Sequence, residues 1–227
     1  GIYLDSSYIA DCENNTISNN RMVWGDTGLN VAGYCVNDTF INNTVSYNNY
    51  EGFYLESETN STFINNTAIY NGYEGFWVED SFNNTFINNT ASHSEYGFYC
   101  YYSNNNTFIN NTIGHNEWGV YLYGWYIDNN LFINNLIYSN TETGGGAYLD
   151  GAPRNNTFYN NFFYNRHNTY FNWVTYQNNW NGSLVGNYWG NHSTDGFSQT
   201  CSDIDNNSIC DSAFDLHLNT SCTPGVN

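Results

Sequence analysis

Apolar and polar residues alternate in short runs that recur along the chain at a nearly constant distance. The run Thr-Phe-Ile-Asn-Asn places a phenylalanine at the same point of each period, and successive copies are 23, 23, 22, 24 and 26 residues apart. These phenylalanines are Phe40, Phe63, Phe86, Phe108, Phe132 and Phe158. A second run, Gly-apolar-aromatic-apolar, lies half a period away, as in Gly52-Phe-Tyr-Leu. Both runs are too short for a helix, so the pattern predicts two short strands per period.

A period of 22 to 24 residues with turns rich in Asn, Gly, Ser and Thr is typical of a β-solenoid, in which each repeat forms one coil. Leucine-rich repeats need a Leu-x-x-Leu-x-Leu run and a helical segment, and a propeller blade needs about 40 residues. We therefore predict an all-β chain with a single parallel β-helix of about eight coils over residues 1–190. A tail, residues 191–227, follows it.

Alternation within the Gly-Phe-Tyr-Leu-Glu run sends its second and fourth residues into the core and its third and fifth residues outward. The outward positions form a predicted aromatic ladder of Tyr3, Tyr54, Trp77, Tyr99, Tyr121 and Tyr148, with Asp5, Glu56, Glu79 and Asp150 beside it. Stacked cross-strand aromatics stabilise a sheet by roughly 0.2–1 kcal/mol per pair. A large exposed aromatic stripe also indicates a surface that binds protein or sugar rings. Both interpretations remain open.

Asparagine recurs after the Thr-Phe-Ile run, where stacked side-chain amides would satisfy the backbone groups of the turn. We predict an asparagine ladder through Asn20, Asn43, Asn66, Asn89, Asn111, Asn135, Asn161 and Asn187.

The charge balance restricts the partners of the chain. Three basic residues stand against 21 acidic ones, giving a formal net charge of −18, which repels nucleic acids and anionic membranes. The sequence also has no apolar run of the length that a membrane-spanning helix requires. We predict an exported protein, extracellular or on the cell surface, that does not bind nucleic acid.

Asn-x-Ser/Thr sequons support export, since this motif is the acceptor for N-glycans. They begin at Asn14, Asn37, Asn42, Asn60, Asn65, Asn83, Asn88, Asn105, Asn110, Asn155, Asn181, Asn191, Asn206 and Asn219. A repeat rich in Asn and Thr also generates sequons without any glycan. Glycosylation of several sites and a purely structural origin are both open.

The six cysteines fit the same compartment. Cys12 and Cys35 each lie five residues before a repeat marker, so they occupy one position on adjacent coils. Stacked strands lie about 4.8 Å apart, a Cα separation that a disulfide accepts, and we predict that these two are bonded. Cys201 and Cys210 are predicted to close a loop in the C-terminal tail. Cys100 occupies a core position as a buried thiol, and Cys222 has no evident partner.

The final coil carries the most distinctive motif, Gly186-Asn-Tyr-Trp-Gly190, before a tail rich in Asp-x-Asp. Together with the repeated Asn-Asn-Thr-Phe-Ile-Asn-Asn units, it resembles the NosD-like, or CASH-type, right-handed parallel β-helix repeats over about residues 1–216. The resemblance implies a right-handed β-helix and an exported protein of the kind common on archaeal surfaces. The family is also associated with carbohydrate binding, sugar hydrolysis and copper-enzyme maturation.

Candidate metal ligands are sparse. Asp203, Asp205, Asn207 and Asp211 follow a calcium-loop spacing, but Ser208 and Phe214 stand where an EF-hand has Gly and Glu. A calcium site and a solvated disulfide loop are the alternatives. His93 and His115, 22 residues apart, are expected to stack.

Catalytic groups are equally sparse. A lyase would need a base beside its acids, and the basic residues Arg21, Arg154 and Arg166 lie on different coils. We therefore predict a non-catalytic structural protein that self-associates into a homopolymer: a glycosylated subunit of a filament, sheath or surface layer. The alternative is a carbohydrate-binding or carbohydrate-processing surface protein that uses the aromatic ladder and its acids.

Overall fold

The computed structural model describes residues 1–5, 12–141, 143–173, 177–180, 186–191, 193 and 198, and they form three parallel β-sheets. The first sheet contains β1 (Ile2–Asp5), β4 (Leu29–Ala32), β7 (Phe53–Glu56), β10 (Glu74–Glu79), β13 (Tyr96–Tyr101), β16 (Trp118–Gly124), β19 (Gly145–Gly151) and β22 (Thr169–Asn172). The second contains β2 (Thr16–Ser18), β5 (Thr39–Ile41), β8 (Thr62–Ile64), β11 (Thr85–Ile87), β14 (Thr107–Ile109), β17 (Leu131–Ile133) and β20 (Thr157–Tyr159). The third contains β3 (Arg21–Val23), β6 (Thr44–Ser46), β9 (Thr67–Ile69), β12 (Thr90–Ser92), β15 (Thr112–Gly114), β18 (Leu136–Tyr138), β21 (Phe162–Tyr164) and β23 (Tyr188–Gly190).

Each strand pairs with the equivalent strand of the next coil, so the chain is a parallel β-solenoid of about eight turns. The prediction of two strands per coil is wrong, because most coils contain three. In the run Thr62-Phe-Ile-Asn-Asn-Thr67, Asn65 adopts a φ of 54°, which ends β8 and turns the chain into β9. Asparagine tolerates this left-handed conformation better than most residues.

The predicted core is confirmed and consists of two stacked columns. The repeat phenylalanines from Phe40 to Phe158 are fully buried, with ring centroids 4.4–4.8 Å apart. The first sheet adds Phe53, Phe76 and Phe98, with centroids 4.5 and 4.6 Å apart. Rings of the two columns meet edge to face, as Phe86 does with Phe76 and Phe98.

The recurring glycine before each first-sheet strand is explained by close packing. A Cβ on Gly75 would lie 2.8 Å from the carbonyl oxygen of Gly97 and 3.1 Å from the Cβ of Ala91. The chain therefore passes too close to the next coil for a side chain at this position.

The Cys12–Cys35 disulfide is confirmed, with a Cα separation of 4.6 Å across adjacent coils. Cys100 is a buried free thiol, as predicted, and burial raises its pKa well above the ordinary value. The disulfide seen here ties the N-terminal coils, whereas Cys201, Cys210 and Cys222 of the predicted C-terminal tail lie outside the described residues.

The predicted asparagine ladder is present at the second corner, where the chain passes from the second sheet to the third. Asn66 shows its pattern: its Nδ2 donates to Asn89 Oδ1 at 3.1 Å and to the carbonyl oxygen of Phe40 at 2.9 Å. Two more ladders were missed. The first corner, between the first and second sheets, stacks Asn15, Asp38, Ser61, Asn84, Asn106, Asn130, Asn156 and Asn178. The third corner, between the third and first sheets, stacks Asn48, Asn71, Ser94, Asn116, Asn140 and Asn165.

Candidate functional site

The predicted aromatic ladder lies on the outer face of the first sheet. Strand register places Trp77 between Tyr54 and Tyr99, and it adds Tyr170, which the sequence analysis had not included. The aromatic ladder therefore runs through Tyr54, Trp77, Tyr99, Tyr121, Tyr148 and Tyr170. Tyr3 shares the face but is separated from the ladder by Asn30 and is 62% exposed.

Most neighbouring rings of the ladder meet edge to face, whereas Tyr121 and Tyr148 stack with centroids 4.5 Å apart and an interplanar angle of 6°. Trp77 is turned by 67° from Tyr54 and by 72° from Tyr99, with centroids 5.5 and 5.3 Å apart. Tyr99 is likewise turned by 70° from Tyr121. In an edge-to-face row, every second ring turns its faces away from the line of the ladder. The six ladder side chains are each partly exposed, so the row presents aromatic surface to solvent.

Carboxylates hold the tyrosine hydroxyls along one side of the ladder. Tyr54 donates a hydrogen bond to Glu79 at 3.1 Å, and Tyr121 donates to Asp150 at 3.0 Å. Burial, followed by the charges of nearby acids, raises the pKa of Tyr54 and of Tyr121. These phenols consequently stay neutral donors across the physiological pH range. Burial also raises the pKa of Glu79, and the hydrogen bond from Tyr54 opposes that rise.

Glu74 lies on the other side of the ladder and is only 5% exposed. Burial, followed by the charges of Glu51 and Glu95, raises its pKa to about 8. Glu74 is therefore protonated at neutral pH and can donate as well as accept a hydrogen bond. It lies close enough to Tyr99 and Tyr96 to raise the pKa of both phenols.

Two buried polar atoms beside the ladder lack partners among the described residues, namely Glu74 Oε2 and Trp77 Nε1. Most buried polar atoms in proteins are hydrogen-bonded, so unpartnered ones call for a reason such as a ligand or water. The surface thus combines partly exposed aromatic rings, tyrosine hydroxyl oxygens that can still accept hydrogen bonds, and carboxylates. This combination suits a polyhydroxylated ligand without negative charge.

The strands of the first sheet contain no arginine or lysine, the cationic residues used by enzymes that act on acidic sugars. Arg21 lies on β3 of the third sheet, Arg166 lies in the turn between β21 and β22, and Arg154 pairs with Asp128 at 2.7 Å at the first corner. Within the described part of the chain, the one set of residues close enough to share a metal ion is Cys12, Cys35 and Asp38, far from the ladder. The predicted calcium ligands Asp203, Asp205, Asn207 and Asp211 lie outside the described residues.

A second aromatic column, which the sequence analysis missed except for its histidines, lines the third corner. Trp24, Tyr47 and Tyr70 stack with centroids 4.8 and 5.1 Å apart, and His93 and His115 continue the column. All five have φ between 57° and 60°. The column borders an open groove of about 370 Å³. Its rings cover one another's faces, so it presents mainly ring edges to solvent.

The sequons lie in the corners. The ten described sequon asparagines from Asn14 to Asn155 are all exposed and all have φ between 54° and 60°. In each Asn-x-Thr, the first residue forms the turn, the second joins a ladder and the third begins a strand. This arrangement explains why the fold produces sequons, and it leaves the turn asparagines accessible. Asn191 is partly buried, and Asn181, Asn206 and Asn219 lie outside the described residues.

The profile of a family described as periplasmic copper-binding protein (NosD) matches residues 1–194. The chain belongs to the NosD family. No curated protein matches it. The A-module of the Azotobacter vinelandii mannuronan C-5 epimerase AlgE4 is similar over 78% of this chain and 56% of its own length, at 18% identity and a TM-score of 0.55. A mutant of the periplasmic alginate epimerase AlgG is similar over 68% of this chain and 38% of its own length, at 16% identity and a TM-score of 0.52. At these identities, the likeness concerns the fold alone.

The described residues do not fit a copper site as they stand. Imidazoles suit copper, but His93 and His115 stack face to face at 5.0 Å, an arrangement that does not aim both nitrogens at one ion. The sulfurs of Cys12 and Cys35 are consumed by their disulfide. No helix in the described ranges is long and apolar enough to span a membrane.

Proposed function

We propose that this NosD-family solenoid is an exported, non-catalytic protein that binds a neutral or amino-sugar glycan along the aromatic ladder. The observation that carries the proposal is the row of six partly exposed aromatic side chains from Tyr54 to Tyr170, with carboxylates hydrogen-bonded to its hydroxyls along one side. Pyranose rings pack their C–H faces on aromatic faces and direct their hydroxyls to donors and acceptors at the side.

Charge decides the class of glycan. The acids Glu51, Glu79 and Asp150 border the ladder, and no arginine or lysine lies on the first sheet. Polymers of uronic acids would be repelled by this surface, whereas an amino sugar would be attracted. The proposed ligand therefore differs in charge from the alginate named in the description of AlgG, although the folds are similar.

The sequons leave this surface free. The exposed turn asparagines occupy the first and second corners, on either side of the second sheet. N-glycans attached there would point away from the outer face of the first sheet. We propose that the protein is exported to the cell exterior or periplasm, where it can carry N-glycans and bind a glycan ligand at the same time.

A glycan array with two matched variants tests the proposal. Trp77→Ala removes a ring from within the ladder. Tyr47→Ala is the control, because it removes an aromatic ring from the third-corner column. We expect binding to neutral or amino-sugar oligomers, a loss of at least about tenfold in Trp77→Ala, and no change in Tyr47→Ala, with both variants folded by circular dichroism. Equal loss in both variants, binding to uronate polymers alone, or no binding would refute the proposal.

The second candidate is the structural role, a subunit of a filament, sheath or surface layer that self-associates into a homopolymer. The observation in its favour is the number of large exposed aromatics, since Trp24, Tyr34, Trp125, Tyr126 and Trp173 are each more than 60% exposed. Electron microscopy of the protein isolated from its native surface separates the two candidates. Ordered polymers without glycan binding favour the structural role, and isolated rods that bind glycan favour the first proposal.

A further inference from the structure

The N-terminal end of the first corner contains a buried cluster that the glycan-binding surface does not use. The ligand atoms of Cys12, Cys35 and Asp38 lie within 4.8 Å of one another, and the three residues are 9%, 0% and 1% exposed. Cys12 and Cys35 occupy the same position on adjacent coils, and Asp38 belongs to the first-corner ladder.

Asp38 departs from the hydrogen-bonding pattern of the first-corner ladder. Elsewhere, an asparagine donates its Nδ2 to a carbonyl of the preceding coil, as Asn84 does to Glu58 at 2.8 Å and Asn106 does to Ser81 at 2.9 Å. Asp38 Oδ1 still accepts from Asn15, at 2.6 Å from its backbone N and 3.0 Å from its Nδ2. Its Oδ2 replaces the donor and lies 3.7 Å from Cys12 Sγ, which carries no proton in the disulfide. A buried acceptor thus stands where other coils of this ladder place an amide donor.

Glu58 is the second anomaly, and it lies one coil from Cys35 in the same column. The backbone N of Thr59 donates to the Cys35 carbonyl at 2.9 Å, which fixes this register. Glu58 is 0% exposed, and its carboxylate has only a poorly aligned interaction with the Ser61 hydroxyl. The next column members, Ser81 and Ser103, are hydrogen-bonded through their hydroxyls. A fully buried carboxyl that follows Cys35 in this column is thus a second departure from the repeat at the same corner.

We propose that reduction by a dithiol converts this corner into a binding site for a zinc-class divalent metal ion, held by Cys12, Cys35 and Asp38. The dithiol is oxidised to its cyclic disulfide, and the Cys12–Cys35 bond gains two electrons and two protons to give two thiols. Metal binding then releases both thiol protons and forms two metal–thiolate bonds.

The ligand set favours this class of ion. Two thiolates and one carboxylate match a tetrahedral zinc site with one open position, whereas calcium and magnesium prefer oxygen ligands alone. The metal would replace the disulfide as the tie between the first two coils.

Cobalt(II) provides a spectroscopic test. The full chain is reduced with a dithiol, separated from it without oxygen, and titrated with Co²⁺ while absorption is recorded. We expect saturable thiolate-to-cobalt charge-transfer bands, which Zn²⁺ abolishes, and none in the oxidised protein. A Cys12→Ser variant loses the bands, and this result distinguishes the site from other thiols of the chain. Absence of the bands in the reduced wild type, or their persistence in Cys12→Ser, would overturn the proposal.

Asp38→Asn tests the carboxylate and is expected to fold, because it completes the ladder as Asn84 does. We expect it to weaken Co²⁺ binding at least about tenfold in the reduced protein, while leaving the disulfide form at least as stable as the wild type. Asp26→Asn, the same change at an exposed aspartate of the third corner, leaves Co²⁺ binding unchanged. Equal affinity in Asp38→Asn and wild type would show a site made of thiolates alone and overturn the assignment of Asp38.

Discussion

Replacing Asn89 with alanine tests whether the asparagine ladders hold the corners together. Asn89 is fully buried in the middle of the second-corner ladder. Its Oδ1 accepts from the backbone N and the Nδ2 of Asn66, at 2.8 and 3.1 Å. Its Nδ2 donates to the Phe63 carbonyl at 2.9 Å and to Asn111 Oδ1 at 3.1 Å. Alanine removes all four of these bonds while leaving the backbone in place.

The expected cost follows from the groups that lose their partners. The Asn66 N–H and the Phe63 carbonyl each lose the side-chain bond that satisfied them inside the protein. A buried polar group left unsatisfied costs about 1–3 kcal/mol, so two of them predict a loss of about 4 kcal/mol in the free energy of unfolding. This is a large fraction of the stability of an ordinary domain.

Denaturant unfolding followed by far-ultraviolet circular dichroism measures this loss by linear extrapolation. The matched control is Asn88→Gly in the same turn. Asn88 is exposed with a φ of 55°, a conformation that glycine adopts without steric cost, so a change within about 0.5 kcal/mol is expected. If Asn89→Ala costs no more than Asn88→Gly, the ladders contribute little and the aromatic columns alone maintain the coil spacing.

Three further predictions follow from the core, the disulfide and the buried acid. Phe86→Ala should lower the unfolding free energy by about 4 kcal/mol, because the cavity is bounded by the stacked Phe63 and Phe108; a loss below about 1 kcal/mol would contradict tight packing. Cys12→Ser should lower it by about 3 kcal/mol, as expected for a cross-link spanning 23 residues, with unchanged stability arguing against a structural role for the bond. The pKa of Glu74 is raised from 4.5 to about 8, so the folded state binds this proton more tightly and the unfolding free energy should fall as pH rises between those values. Glu74→Gln should reduce this fall in unfolding experiments at several pH values. Parallel pH dependences of the two proteins would refute the role of Glu74.

Much of the scaffold could be predicted, because the spacing of residues in a solenoid sequence determines which of them meet on adjacent coils. Residues one period apart occupy the same place on adjacent coils, which is why the Cys12–Cys35 bond and the ladder through Asn66 followed from their positions alone. The same rule could have found the third-corner column. Trp24, Tyr47, Tyr70 and His93 are spaced 23 residues apart, but they stand in turns, where the search for alternating strands did not look.

Other features could not be read from spacing, because they depend on rotation and burial. The sequence placed Tyr54, Trp77 and Tyr99 in one row, yet stacked and edge-to-face rings have the same register, so the edge-to-face packing could not be predicted. The third strand found in most coils was missed for a related reason, since a polar residue such as Asn65 does not reveal its positive φ in the sequence. The raised pKa of Glu74 likewise depends on how deeply the carboxyl is buried.

Inward and corner positions are constrained by the fold and outward positions are not, which explains why the scaffold was easier to predict than the site. Inward phenylalanines and corner asparagines are fixed by contacts with identical residues one coil away, so a change such as Asn89→Ala damages two neighbours at once. Outward positions of the first sheet do not require identical residues on adjacent coils, since Asn30 and Trp77 occupy equivalent positions. A repeat that satisfies its backbone through internal ladders can therefore vary its outer face freely. Departures from the repeat, such as Asp38 among asparagines and Glu58 among serines, are then the residues most informative about function.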